Sequence, residues 1–248
     1  MTISESDLGE LQTAKSLLEN PGFAAKLTNV VGAPIEYALE HLPESVASSI
    51  GSVTQSALEK ALDAAVFTMK DAPGEESSSL WHKAGVAVTG GVGGFFGFAG
   101  LGVELPISTS IMLRSIADIA RSHGERIDSD EAKAACLAVF ALGGPSESDD
   151  GSDAGYYAVR AALSKAMSDG SLVKLVVVIA ERFGVQVGEK AMAQLVPAIG
   201  AAGGALINLA FIDHFQDMAR GHFAVRKLER RYGEALIQRI YRELPARG

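Results

Sequence analysis

The chain has 248 residues, 48 % of them apolar and 21 % charged, with a net charge of −8 and one cysteine. That length supports a full hydrophobic core and the composition excludes a disordered chain. The acidic balance excludes a nucleic-acid surface, which needs clustered Lys and Arg, and the lone Cys136 excludes an intramolecular disulfide and a multi-cysteine metal site.

The stretch MTISESDLGELQTAKS lacks a basic region followed by an apolar one, so it does not read as a secretory signal, and a cytoplasmic location is the expectation. Ser4 predicts the cap of a helix running to about Glu19, with Asp7 at the capping-box position. Asn20-Pro21-Gly22 breaks it, a short helix follows over 23–31, and Gly32-Ala33-Pro34 breaks the chain again. Residues 43–70 predict a long helix, because Val46, Ile50, Val53, Ala57, Leu58, Ala61 and Leu62 recur on one face. Asp71-Ala72-Pro73-Gly74 stops it, and 75–79 reads as a loop.

After residues 79–103, a helix is predicted from about 106 to 123 with Gly124 as its C-cap, and another from Asp128-Ser129-Asp130-Glu131 to Leu142. SESDDGSDAG, residues 146–155, lacks the calcium-loop spacing and its closing glutamate, and reads as a solvated loop. Further helices are predicted near 153–168, 171–183, 185–202, 203–220 and 221–242. The β-branched run 172–180 and the segment 84–89 are strand candidates, but two isolated strands make no stable sheet. The expectation is an all-α, single-domain, multi-helix bundle: an N-terminal arm (1–33), a helical core (34–242) and a tail (243–248).

TGGVGGFFGFAGLGVELP, residues 89–106, carries seven glycines between Gly90 and Gly102, a density that needs an explanation. A dinucleotide-binding loop would need parallel strands that are absent from the pattern, and no GxxxxGK[ST] occurs. A membrane span is long enough in Ala84–Val103 and in Ala191–Ile212, both uncharged, but each run is only weakly hydrophobic. Close helix packing is the favoured reading. Gly90 and Gly94, and Gly93 and Gly97, share faces, and Gly200, Gly203 and Gly204 supply a matching small surface.

The two runs are followed by similar segments. Asp118, Ala120 and Arg121 match Asp217, Ala219 and Arg220 at a spacing of 99 residues, which suggests a degenerate internal repeat. Arg114 and Asp118 share a helix face, as do Asp213 and Asp217, so an Arg114–Asp213 or Arg114–Asp217 pair is expected. Read blandly this is a structural ion pair; read sharply it is a polar ligand site in an apolar cavity, with Glu104 and His214 as further members.

No G-x-S-x-G, HExxH or zinc-deaminase pattern occurs, so no catalytic residue is assigned. Ser171–Lys174 matches S-x-x-K by a pattern too short to carry weight. Cys136 sits on an apolar face and reads as a buried, inert thiol. No metal site is predicted; His82, Glu104 and His214, which flank the uncharged runs, are the weak candidates. No cofactor motif is found. The segment Arg220–Arg247 gathers basic residues and reads as a solvated amphipathic helix, with an anionic membrane surface or acidic partner as the alternative.

His82-Lys83, the glycine stretch, Glu104-Leu105-Pro106, Met112–Arg121, Gly124-Glu125 and Cys136–Gly144 together resemble the EcsC family. Val196–Ala201, Asn208 and Arg226–Gly233 extend the likeness. The resemblance implies a bacterial, mainly helical protein linked to an ABC-transporter operon, and supplies no catalytic residue. The leading expectation is a non-enzymatic accessory protein, peripheral at the cytoplasmic face of the membrane, that binds lipid, a hydrophobic ligand or a transport-related membrane partner. The alternative is a hydrolase-like enzyme with Glu104, Asp118, His82 and His214 around an apolar cleft. A homo-oligomer sealed through the glycine surfaces is a third.

Overall fold

The computed structural model describes residues 3–19, 23–31, 44–66, 98–142, 155–168, 172–194 and 200–245. Nine helices and no strand occur among them: α1 (Glu5–Leu18), α2 (Phe23–Val31), α3 (Glu44–Val66), α4 (Phe98–Ser122), α5 (Asp130–Leu142), α6 (Gly155–Ser168), α7 (Leu172–Gln194), α8 (Gly200–Tyr232) and α9 (Glu234–Glu243). The fold is all-α and its helices pack as one bundle. No described helix is long and apolar enough to cross a membrane.

Several helix ends follow from local chemistry. The Ser4 hydroxyl accepts from the Asp7 N–H at 3.1 Å and caps α1. Ser129 caps α5 by accepting from the Ala132 N–H at 3.1 Å. Gly124 ends α4 at φ +84°, where the Glu125 N–H reaches the Ala120 carbonyl at 3.0 Å and the Gly124 N–H reaches that of Arg121 at 2.9 Å. Only glycine takes this left-handed position cheaply.

Elsewhere burial overrides local signals. The strand candidate 172–180 is the start of α7, because Leu175, Val176, Ile179, Ala180 and Phe183 fall on one helical face and are buried. The break expected between 183 and 185 is absent, and α7 runs on to Gln194. α4 starts at Phe98 rather than at 106 and carries Pro106 inside it. The three helices expected over 185–242 are the end of α7, one 33-residue helix α8, and α9. The segment 84–89 and Gly90, Gly93, Gly94 and Gly97 lie outside the described residues. Gly200, Gly203 and Gly204 open α8, and Gly204 is buried.

α8 is the central post, packed against α1, α2, α4, α5, α7 and α9. Phe23, Phe140, Phe183, Phe211 and Phe215 meet at its middle, with neighbouring ring centroids 4.8–5.9 Å apart. Each such ring pair adds about 0.5–1.5 kcal/mol beyond area burial. Phe211 and Ile212, inside the uncharged run 191–212, are fully buried here, so this part of the run faces protein.

The N-terminal arm belongs to the core. Leu11, Ala14, Phe23 and Leu27 are buried. α1 crosses α8 at Gly221, where an added Cβ would meet Leu18 Cγ at 2.7 Å and the Ala14 carbonyl oxygen at 2.9 Å. The boundary expected between 220 and 221 falls inside α8, where Gly221 admits α1. Lys15, buried, donates to the carbonyls of Tyr241 at 3.0 Å and Leu244 at 2.7 Å, satisfying the end of α9.

Candidate functional site

Glu104 closes one uncharged run, Lys190 opens the other, and the two meet inside the bundle. Lys190 donates to Glu104 Oε1 in a pair whose side chains are 0 % and 3 % exposed. Asn208 Nδ2 donates to the same oxygen at 3.0 Å, and Gln194 Nε2 to Oε2 at 3.3 Å. The ammonium also lies 4.7 Å from the Phe211 ring centre. Burial pulls Lys190 below the usual lysine range, with Glu104 opposing that shift. This arrangement ties α4, α7 and α8 together.

The other sequence candidates spread along the same helices. Asp118 lies fourteen residues beyond Glu104 on α4, about 21 Å along the axis at 1.5 Å per residue. Asp118 pairs with Arg121 at 2.7 Å, and Asp217 with Arg220 at 3.0 Å and Lys26 at 3.5 Å. The two D-x-x-R echoes therefore form the same local pair on α4 and α8. Arg114 is exposed, and Asp213 is half-buried. His214 is buried, with ring centres 5.4 Å from Phe23 and 5.1 Å from Phe215. His82 lies outside the described residues. Among those residues no three His, Cys, Asp or Glu side chains gather as a metal site would require. Glu104 and Asp118 are thus not brought to one catalytic centre.

Cys136 is buried, and burial, then Glu125, pushes its thiol up to about 12, against the pull of Arg226.

The basic residues near the C-terminus are largely committed within the protein. Arg231 pairs with Asp7 at 3.0 Å and Lys227 with Glu10 at 2.9 Å. Arg226 pairs with Glu125 at 2.8 Å and Glu131 at 2.9 Å, and Arg230 with Glu125. Burial raises Glu125, but Arg226 and Arg230 together hold its carboxyl below the ordinary 4.5. The end of α8 thereby partners α1 and α5, while α9, with Ile237 and Tyr241 buried and Arg239 and Arg242 exposed, is amphipathic as expected.

Of these residues Arg226, Arg230 and Glu131 line a groove of about 860 Å³ between α5, α6, α8 and α9. Its apolar surface comes from Ala134, Ala138, Ala161, Leu163 and Leu175, and its polar wall from Tyr157, Arg160, Arg226 and Glu229. Arg160 grips Glu229 in a fork, at 2.6 and 2.9 Å, and Tyr157 donates to the same carboxylate at 3.2 Å. The guanidinium also lies 5.4 Å from the ring centres of both Tyr156 and Tyr157. Burial drives both phenols well above their ordinary pKa. Tyr156 meets buried His222 Nδ1 at 2.8 Å. Burial, then Arg160 and Arg226, hold that imidazole well below 6.5, so it is neutral.

Sequence reading passed over this groove. The spacing Tyr156-Tyr157-x-x-Arg160 places one cation a turn beyond two aromatic rings, which was its available signal. Its carboxylate partner Glu229 lies 69 residues away in sequence.

A model of the EcsC protein family matches residues 5–228. No curated protein and no solved structure matches the chain.

Proposed function

We propose that this chain, which belongs to the EcsC protein family, is a non-enzymatic helical accessory protein that binds a lipid or other hydrophobic ligand at the cytoplasmic face of the membrane. The groove between α5, α6, α8 and α9 carries this reading. Its volume of about 860 Å³ lies in the range of small-molecule sites, and it joins an alanine- and leucine-lined surface to a polar wall. That division matches an amphiphile. Peripheral membrane contact draws support from the uncharged run 84–103, and from Arg239 and Arg242 exposed on α9. A transport-related membrane partner is part of the same proposal. The hydrolase alternative loses support, because Glu104 and Asp118 stand roughly 21 Å apart on one helix.

Native mass spectrometry of detergent-free protein, with lipid extraction alongside, tests the reading. A bound amphiphile is expected, and Ala138→Trp, which fills the groove, should remove it. Flotation with anionic vesicles tests membrane association. Protein that carries no amphiphile and stays entirely unbound to vesicles would overturn the proposal.

A further inference from the structure

The groove's arginines are already paired. Arg160 is held by Glu229, Arg226 by Glu125 and Glu131, and Arg230 by Glu125 and the His123 carbonyl. The carboxylates of Glu229 and Glu125 are themselves nearly buried. An anionic headgroup would have to take a guanidinium from a buried carboxylate and leave that carboxylate uncompensated. The arginine wall therefore selects against an anion.

One polar group beside this wall is left over. Arg160 Nη1 donates to the Tyr156 oxygen at 3.4 Å. The Tyr156 hydroxyl proton then points to His222 Nδ1, 2.8 Å away, and the neutral imidazole carries its own proton on Nε2. Nε2 is buried and finds no acceptor among the described residues. His222 is 2 % exposed and lines the groove. Buried donors without acceptors are rare in folded proteins and call for a missing partner.

We propose that the groove takes an uncharged amphiphile with an ester, amide or hydroxyl oxygen, and that this oxygen accepts from His222 Nε2–H while the aliphatic chain lies on Ala134, Ala138 and Ala161. This rests on the amphiphile reading above and gives that ligand its chemical class. Arg160 and Tyr156 act as positioning residues: they fix the tautomer that makes Nε2 the donor.

The test uses the full chain and two probes with the same aliphatic tail, monolaurin (uncharged) and laurate (anionic). Calorimetry should show monolaurin binding about tenfold tighter than laurate, roughly the worth of one buried hydrogen bond. His222→Phe should remove that preference, and His222→Gln, which keeps an amide donor, should retain part of it. In protein labelled with ¹⁵N-histidine, the His222 Nε2 resonance should move with monolaurin. Laurate binding as tightly as monolaurin would overturn this inference even if His222→Phe fails to fold, because that comparison uses the unaltered chain. If Ala138→Trp still abolishes laurate binding, the amphiphile reading survives and only the uncharged class falls. If neither probe binds and no lipid copurifies, both fall.

Discussion

Lys190 and Glu104 stand 86 residues apart in sequence and form one ion pair in the interior, where Asn208 and Gln194 also serve the carboxylate. Such a pair gains little over apolar packing while intact, and it is costly to break from one side. Lys190→Met should cost about 3–5 kcal/mol, since it strands the carboxylate. The double variant Glu104→Gln/Lys190→Met should regain most of that loss. Urea denaturation of the single and double variants decides the matter, and equal losses in both would count against the pair.

His222 should make stability fall in mild acid. Its imidazole is packed by Tyr156, and the positive groups nearby are Arg160 and Arg226, each held by a carboxylate. The folded state keeps it neutral, while the unfolded chain takes up a proton below 6.5. The unfolded state then binds more protons, so stability is full above that value and declines as pH drops towards the depressed folded pKa. The slope approaches about 1.4 kcal/mol per pH unit. Glu125 acts in the same direction but lower, because its loss begins only below 4.5. Between those two values His222→Gln should flatten the decline, a difference visible in denaturation midpoints. A parallel slope in the variant would assign the effect elsewhere.

Gly221→Ala should loosen α1. The new Cβ would sit 2.9 Å from the Ala14 carbonyl oxygen, a backbone atom that cannot swing aside, and 2.7 Å from Leu18 Cγ. Overpacking of this kind costs about 1–3 kcal/mol, against a gain of up to about 1 kcal/mol from better helix propensity. Amide exchange in residues 5–18 should accelerate while the middle of α8 stays protected. Unchanged exchange in α1 would mean that the crossing tolerates a methyl group.

Lys15→Met keeps the length of the buried side chain and deletes its donors. The carbonyls of Tyr241 and Leu244 would lose their charged partner, at a cost of about 1–3 kcal/mol. The last turn of α9 should fray, which proteolysis near residue 244 would register. A variant as resistant as the parent would show that water replaces the ammonium without loss.

What sequence could reveal here was local. Ser4 and Gly124 announced their caps because each cap is decided within a few residues. The all-α class was legible because helical periodicity survives in nearly every segment. The helix boundary placed at 220–221 was wrong because the role of Gly221 is set by its neighbour α1, which local sequence does not show. The β-branched start of α7 misled for a similar reason, since only the surrounding helices make Leu175, Ile179 and Phe183 an inward face. Glu104 drew notice as a carboxylate ending an uncharged run, yet its partner Lys190 lay on a different helix. The pairing of the basic C-terminal segment was not legible because its acids, Asp7, Glu10 and Glu125, are far away in the chain.

The seat of α1 on α8 and α9 also orders events in time. Glu10 precedes its partner Lys227 by 217 residues, and Lys15 precedes Leu244 by 229. During synthesis at roughly 5–20 residues per second, α1 leaves the ribosome some ten to forty-five seconds before the surface that receives it exists. In that interval Leu11 and Ala14, which pack chiefly on α8, lack that surface. The segment that sequesters α1 is made more than two hundred residues after it, so α1 docks late in the assembly of the bundle.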